Sequence, residues 1–185
     1  MSPVYHWCLP FRLFLIISLF IAVRPSSLRA QDLTLAHDAL LALTPEWEGE
    51  RFADGRPKVP DAILERMKLV SHEEAWAVMK NANYKFQYEE GWLTINPEGV
   101  LVGRAMTAVF MPGRPDVHRV IDSIGHAEGR IRSQNSWPVD QLQPGDVYIG
   151  DQFELHLNGP TIGDNLGNAI FANSGNGIVY NGAIR

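Results

Sequence analysis

The segment from Thr161 to Arg185 constrains the fold more than any other part of the chain. Thr161-Ile162-Gly163 approaches a helix with Asp164 or Asn165 as its cap and Leu166, Ala169 and Ile170 as its apolar face. Asn173-Ser174-Gly175 stops that helix, Gly177-Ile178-Val179-Tyr180 reads as a short buried strand, and Asn181-Gly182 as the turn at its carboxyl end. A helix and strand of this length bring the strand's end back beside the helix's start, so Asp164 and Arg185, with twenty residues between them, can share one pocket. There, helix N-terminal amides and a guanidinium favour an anion, and a carboxylate can hold a divalent cation. On the residues alone, helix capping is the simpler reading of Asp164, and Arg185 can equally be a solvated arginine. Gly163 and Gly182 allow close backbone approach, which turn formation explains as well.

The amino-terminal region reads differently. Arg12 precedes an apolar run from Leu13 to Val23, and Ser26-Ser27-Leu28-Arg29-Ala30 ends in a small residue before Gln31-Asp32. This is the pattern of a secretory signal peptide over 1–30, with an uncleaved anchor as the alternative, and it predicts an exported protein, periplasmic or secreted. The lone cysteine, Cys8, lies inside that segment, so the exported domain is expected to carry no disulfide. Cleavage would remove Arg12, Arg24 and Arg29, taking 16 basic side chains to 13 against 21 acidic ones, a net charge of −8. Such a balance argues against nucleic acid as a partner and disfavours an anionic membrane surface once the signal is removed.

At 185 residues and 45% hydrophobic content, the chain can hold one ordinary domain with extensions. Helical spacing covers 32–43; 44–60 reads as an ordered loop; Pro60-Asp61 opens a helix over 62–70; and Ser71-His72-Glu73-Glu74 is a capping box for a third helix. Residues 84–92 read as loop or edge strand, 100–110 as a core strand, 117–130 as a helix, 147–149 as a strand, and 153–158 as a further strand. Arg104 and Arg114 are exposed-loop or strand-end candidates for binding anions, or plain surface charges. Asp146, in a Pro-Gly-Asp turn, reads as structural. His118 and His126 are eight apart, which is not the spacing of a zinc pair on one helix face. Trp76, Trp92 and Trp137 read as packing residues.

The Asp164, twenty-residue, Arg185 spacing resembles the signature of the RraA-like family, which includes 4-hydroxy-4-methyl-2-oxoglutarate aldolases and regulators of ribonuclease E activity. The segments Leu101-Val102-Gly103-Arg104-Ala105-Met106-Thr107-Ala108 and Gln143-Pro144-Gly145-Asp146-Val147-Tyr148-Ile149 also look like that family's early core strands. The aldolase signature continues with an Asp, which would be residue 186, so the resemblance implies an incomplete domain. The expected fold is α/β: an incomplete RraA-like (swivelling-type β/β/α) domain over 99–185, preceded by an N-terminal helical and loop extension over 31–98.

The resemblance further implies a class II, divalent-metal-dependent aldolase-type lyase that cleaves a 4-hydroxy-2-oxo acid and releases pyruvate. Asp164 would belong to the metal site, with Mg2+ or Mn2+, and Arg185 would clamp the substrate carboxylate. Gly163, Asn165 and Leu166 would offer backbone contacts to it. A homo-trimer or hexamer is implied as well. The alternatives are a non-catalytic RraA-like binding protein or inactive fragment, and then the older demethylmenaquinone methyltransferase label, for which no glycine-rich nucleotide loop is found.

Overall fold

The computed structural model describes residues 33–152 and 159–185. The expected signal peptide over 1–30 and the expected strand over 153–158 lie outside the described residues. The chain divides into Met1–Thr34, nearly all of it outside the description, and one compact unit, Leu35–Arg185.

That unit is built on a β-α-β-α-β succession. Strands β1 (Arg104–Val109), β2 (Asp146–Asp151) and β3 (Ile178–Asn181) form a three-stranded sheet in the order β1-β2-β3. Both pairings are parallel, with Arg104 opposite Asp146 and Tyr148 opposite Ile178. Parallel neighbours need long crossovers, and helices supply them. Three short helices come first: α1 (His37–Leu43), α2 (Asp61–Met67) and α3 (His72–Asn81). Helix α4 (Pro115–Ala127) joins β1 to β2, and α5 (Asp164–Ser174) joins β2 to β3. Two short 3-10 turns, Gln134–Ser136 and Val139–Gln141, lie between α4 and β2.

The local signals act where the residue chemistry requires. Ser71 accepts from the Glu74 amide while the Glu74 carboxylate accepts from the Ser71 amide, so both halves of the capping box close. Pro60 is the N-cap of α2, and Pro115, without an amide hydrogen to satisfy, begins α4 two residues earlier than the pattern predicts. The loop over 44–57 is ordered by Arg51, whose guanidinium donates to the Thr44 hydroxyl and carbonyl and to the Gly55 carbonyl, each at 2.8 Å.

The core lies on one face of the sheet. Met106, Val139, Leu142, Tyr148, Ile162 and Ile170 are buried together, with Leu166, Ala169 and Ile178 packed against them. Thus α5 and the second 3-10 turn cover the strands that the sequence pattern marks as apolar. Trp137 is buried as expected, but Trp76 and Trp92 are exposed by 38% and 50%, so neither is a core residue.

Arg104 is a second departure from the sequence reading. It is not an exposed anion-binding candidate but is buried, with 7% of its side chain exposed, against Asp146, which is wholly buried. Its Nε lies 3.4 Å from Asp146 Oδ1, and its Nη1 donates to Val59 O at 2.7 Å and to Asp61 Oδ1 at 3.0 Å. Its Nη2 reaches the Pro144 carbonyl. Arg56 Nη1 contacts the other Asp146 oxygen at 3.1 Å, and the Gln143 amide donates to that oxygen at 2.9 Å. Phe52 lies beneath both guanidinium groups. The left-handed backbone at Gly145 (φ 85°) makes room for the Arg104 guanidinium, which any side chain there would meet. This clasp pins the entry of β1 to the entry of β2 and ties residues 52–61 to the sheet. Arg114, by contrast, is exposed and paired with Asp116.

Two measurements follow. Asp146→Ala leaves two guanidinium groups facing a buried vacancy and should cost about 3–5 kcal/mol in chemical denaturation. Tyr148 is wholly buried, and its phenol is pushed well above the usual value of 10.0 by burial and then by Tyr180. A raised folded value gives stability that is present in full below pH 10 and lost as pH rises through it. Tyr148→Phe, which has no phenol to ionise, should therefore gain on the parent protein as pH climbs above 10, read as the difference in denaturation midpoint.

Candidate functional site

The candidate site lies at the carboxyl edge of the sheet, where the chain enters α5 and leaves β3. In parallel α/β sheets this edge is where ligands bind. Gly163 is the N-cap of α5 in extended backbone, and no side chain caps the helix. Asp164 is therefore the first helical residue and not the cap. Its Oδ1 accepts from the Asn165 amide at 2.9 Å, and the carboxylate is exposed. The first intrahelical bond runs from the Gly167 amide to Gly163 O at 2.8 Å. The Asp164, Asn165 and Leu166 amides precede it, in the turn where a helix leaves its donors without intrahelical partners.

Arg185 comes to the same place through a short parallel ladder. Ile162 bridges Ile184, the Thr161 amide donates to Ala183 O at 3.3 Å, and the Arg185 amide donates to Ile162 O at 3.1 Å. The Arg185 side chain then lies over Gly163: a Cβ on that glycine would stand 3.1 Å from Arg185 Nε and 3.6 Å from its Cγ. Gly163 and Arg185 are thus in contact, with Asp164 next in sequence. Asn165 is exposed and gives its amide to Asp164, while Leu166 is half-buried and packs its side chain against the core.

Both charges of the corner are solvent-accessible, and the positive end of α5 adds to the guanidinium's pull on an anion. Among the described residues, no three His, Cys, Asp or Glu side chains group as metal ligands. One exposed carboxylate fits a hydrated hard cation, which keeps several waters and shares substrate oxygens, and does not fit a dehydrated cage.

Sequence reasoning missed the side chains beneath this corner. The Tyr180 hydroxyl donates to Gln152 Oε1 at 3.0 Å, and Asn181 Nδ2 donates to Asp151 Oδ1 at 3.0 Å. The only signal available was their position at the ends of β2 and β3. Among the described residues, no helix is long and apolar enough to cross a membrane.

Gly163→Ala tests the contact directly. The added methyl group must move Arg185 by a few tenths of an ångström, because its Cβ would stand only 3.1 Å from the guanidinium Nε. The expected result is an altered Arg185 side-chain NMR signal with the β1–β2 amide signals unmoved.

No family profile matches the chain, and no curated protein matches it. Among solved structures it is similar to Streptomyces coelicolor RraAS2, described as an unusual member of the RNase ES inhibitor RraA protein family. The two share 23% sequence identity with a TM-score of 0.53, over 69% of this chain and 57% of that one. This chain therefore spans a little over half the length of that protein. The likeness in backbone, with the parallel sheet and its crossover helices, shows that the chain has an RraA-like α/β fold.

Proposed function

We propose that the corner formed by Gly163, Asp164 and Arg185 binds the carboxylate of a small 2-oxo acid and supports class II aldolase-type cleavage of a 4-hydroxy-2-oxo acid, with pyruvate as a product. The observation that carries this reading is the placement of the Arg185 side chain against Gly163 at the N-terminus of α5. A guanidinium presents parallel donors that match a carboxylate, and the amides of the first helical turn lie beside it. Arg185 thereby orients the acid and balances negative charge as it develops during carbon–carbon cleavage. Asp164 would hold a divalent cation, Mg2+ or Mn2+. When bound, that ion supplies Lewis-acid polarisation of the 2-oxo group. By resemblance the working form is a homo-trimer or hexamer, exported through the segment over 1–30.

A second reading is a non-catalytic binding protein. Its support is the likeness to RraAS2, whose family is named for ribonuclease inhibition. The net acidic charge fits contact with a basic protein surface as well as it fits an enzyme.

The deciding assay is pyruvate release from 4-hydroxy-4-methyl-2-oxoglutarate with and without Mg2+. An enzyme releases pyruvate only with the metal, and Arg185→Ala should lower kcat/KM by about a hundredfold. Asp164→Asn should instead raise the metal concentration needed for half activity by about tenfold to a hundredfold. Absence of metal-dependent release across substrates of this class would move the reading to the binding protein.

A further inference from the structure

We infer that residues 84–95 are a docking arm that adds a β-hairpin to the free edge of β1 in a second copy of this chain, an inference that rests on the reading of the working form as a homo-oligomer. The arm alternates as a strand does, with Tyr84, Phe86 and Tyr88 apolar and Lys85 and Gln87 polar between them. Glu89-Glu90-Gly91 has the composition of a three-residue hairpin turn, and Gly91 already holds the left-handed backbone (φ 81°) that such a turn requires. Trp92-Leu93-Thr94-Ile95 is again rich in strand formers. The hairpin is nevertheless unpaired: among the described residues, no backbone–backbone hydrogen bond is made from 85 to 95.

The arm carries its apolar groups into water. Phe86 is fully exposed, Leu93 by 91% and Ile95 by 73%, while Tyr84 and Trp92 are half-exposed. Together these five side chains leave on the order of 700 Å² uncovered, close to the roughly 800 Å² that each partner buries in a stable interface. Phe86 also stands at φ 57°, a left-handed backbone unfavourable for a bulky residue, which an extended strand would relieve. The root of the arm is held, since the Tyr88 ring lies 5.5 Å from Trp76, which Lys80 covers from above.

Strand β1 offers what the arm lacks. It stands at the edge of the sheet, bonded to β2 on one side. The Arg104 and Phe110 amides donate across that side, to Gly145 O and Asp151 O, so the period of two points the amides and carbonyls of Ala105, Thr107 and Val109 outward. The same three residues are exposed, Val109 by 76%. An uncovered edge is a template for a further strand, and strand addition supplies main-chain hydrogen bonds to both. In a single molecule the arm leaves on the far side of the sheet. Leu101 lies beside Gly177, and Val102 O accepts from Asn176 Nδ2 at 2.8 Å, both at the start of β3, with β2 between them and the β1 edge. The arm thus points away from its own edge, and the edge it fits is that of another copy.

The test uses the whole chain with Cys8→Ser, so that no native thiol competes. Chains carrying Leu93→Cys are mixed with chains carrying Thr107→Cys, oxidised mildly and analysed for linked peptides by mass spectrometry. Both positions are exposed, so neither change disturbs the core. The mixture should give a disulfide between the two kinds of chain at about tenfold the yield of either chain alone. By sedimentation, the chain without these cysteines should form a discrete oligomer, and Leu93→Asp and Val109→Lys should each weaken it by about tenfold to a hundredfold. A discrete oligomer that ignores both substitutions and gives no mixed disulfide overturns the arm and leaves the homo-oligomer standing. A monomeric parent chain overturns both. A disulfide that forms only within a single chain carrying both cysteines places the arm on its own edge and overturns the inference as well.

Discussion

The buried pairing of Arg104 with Asp146 is the constraint on which the rest of the structure depends. Two charges taken out of water are costly unless each is fully answered. Here Asp146 receives Arg104, Arg56 and the Gln143 amide, while Arg104 also spends donors on Val59, Asp61 and Pro144. The pair stands at the first register position of β1 and β2. A slip of one residue would turn either partner to the other face and strand a charge. The clasp thus sets the register of the sheet, and through it the height at which each strand delivers its carboxyl end.

Order at one edge of the sheet then fixes the arrangement at the other. With β2 and β3 fixed side by side, the connection into α5 and the exit from β3 meet as a short ladder, and Arg185 falls on Gly163. The apolar work is done by Ile162 and Ile170, buried just before and within α5, which seat the helix so that its N-terminus faces the corner. Structural and proposed functional residues are therefore distinct: the buried charges carry register, and the exposed ones meet solvent.

Much of this was legible in the sequence because local chemistry and tertiary demand agree there. The capping box at Ser71 and the proline opening of α2 are local patterns that the fold uses, and the helix–strand unit ending at Arg185 forms where expected, with its strand half-buried. The RraA-like α/β fold likewise followed from several segments taken together. Arg104 was not legible as a buried residue, because its hydrogen-bond partners come from residues 59–61 and 144–146 and no local pattern announces a pairing across forty positions. Tyr180 was read only as a strand residue, since its hydroxyl's partner, Gln152, precedes it by a crossover helix. Asp164 differed by one position: the cap is Gly163, whose extended backbone begins the helix without a side-chain acceptor.

The account's central claim is that a carboxylate binds where Arg185 covers Gly163. The most direct measurement is difference electron density from crystals of the whole chain soaked in oxalate and Mg2+. The account predicts oxalate at the α5 N-terminus, with one carboxylate within hydrogen-bonding distance of the Arg185 guanidinium. Oxalate bound elsewhere, or an empty corner at saturating oxalate, would contradict it.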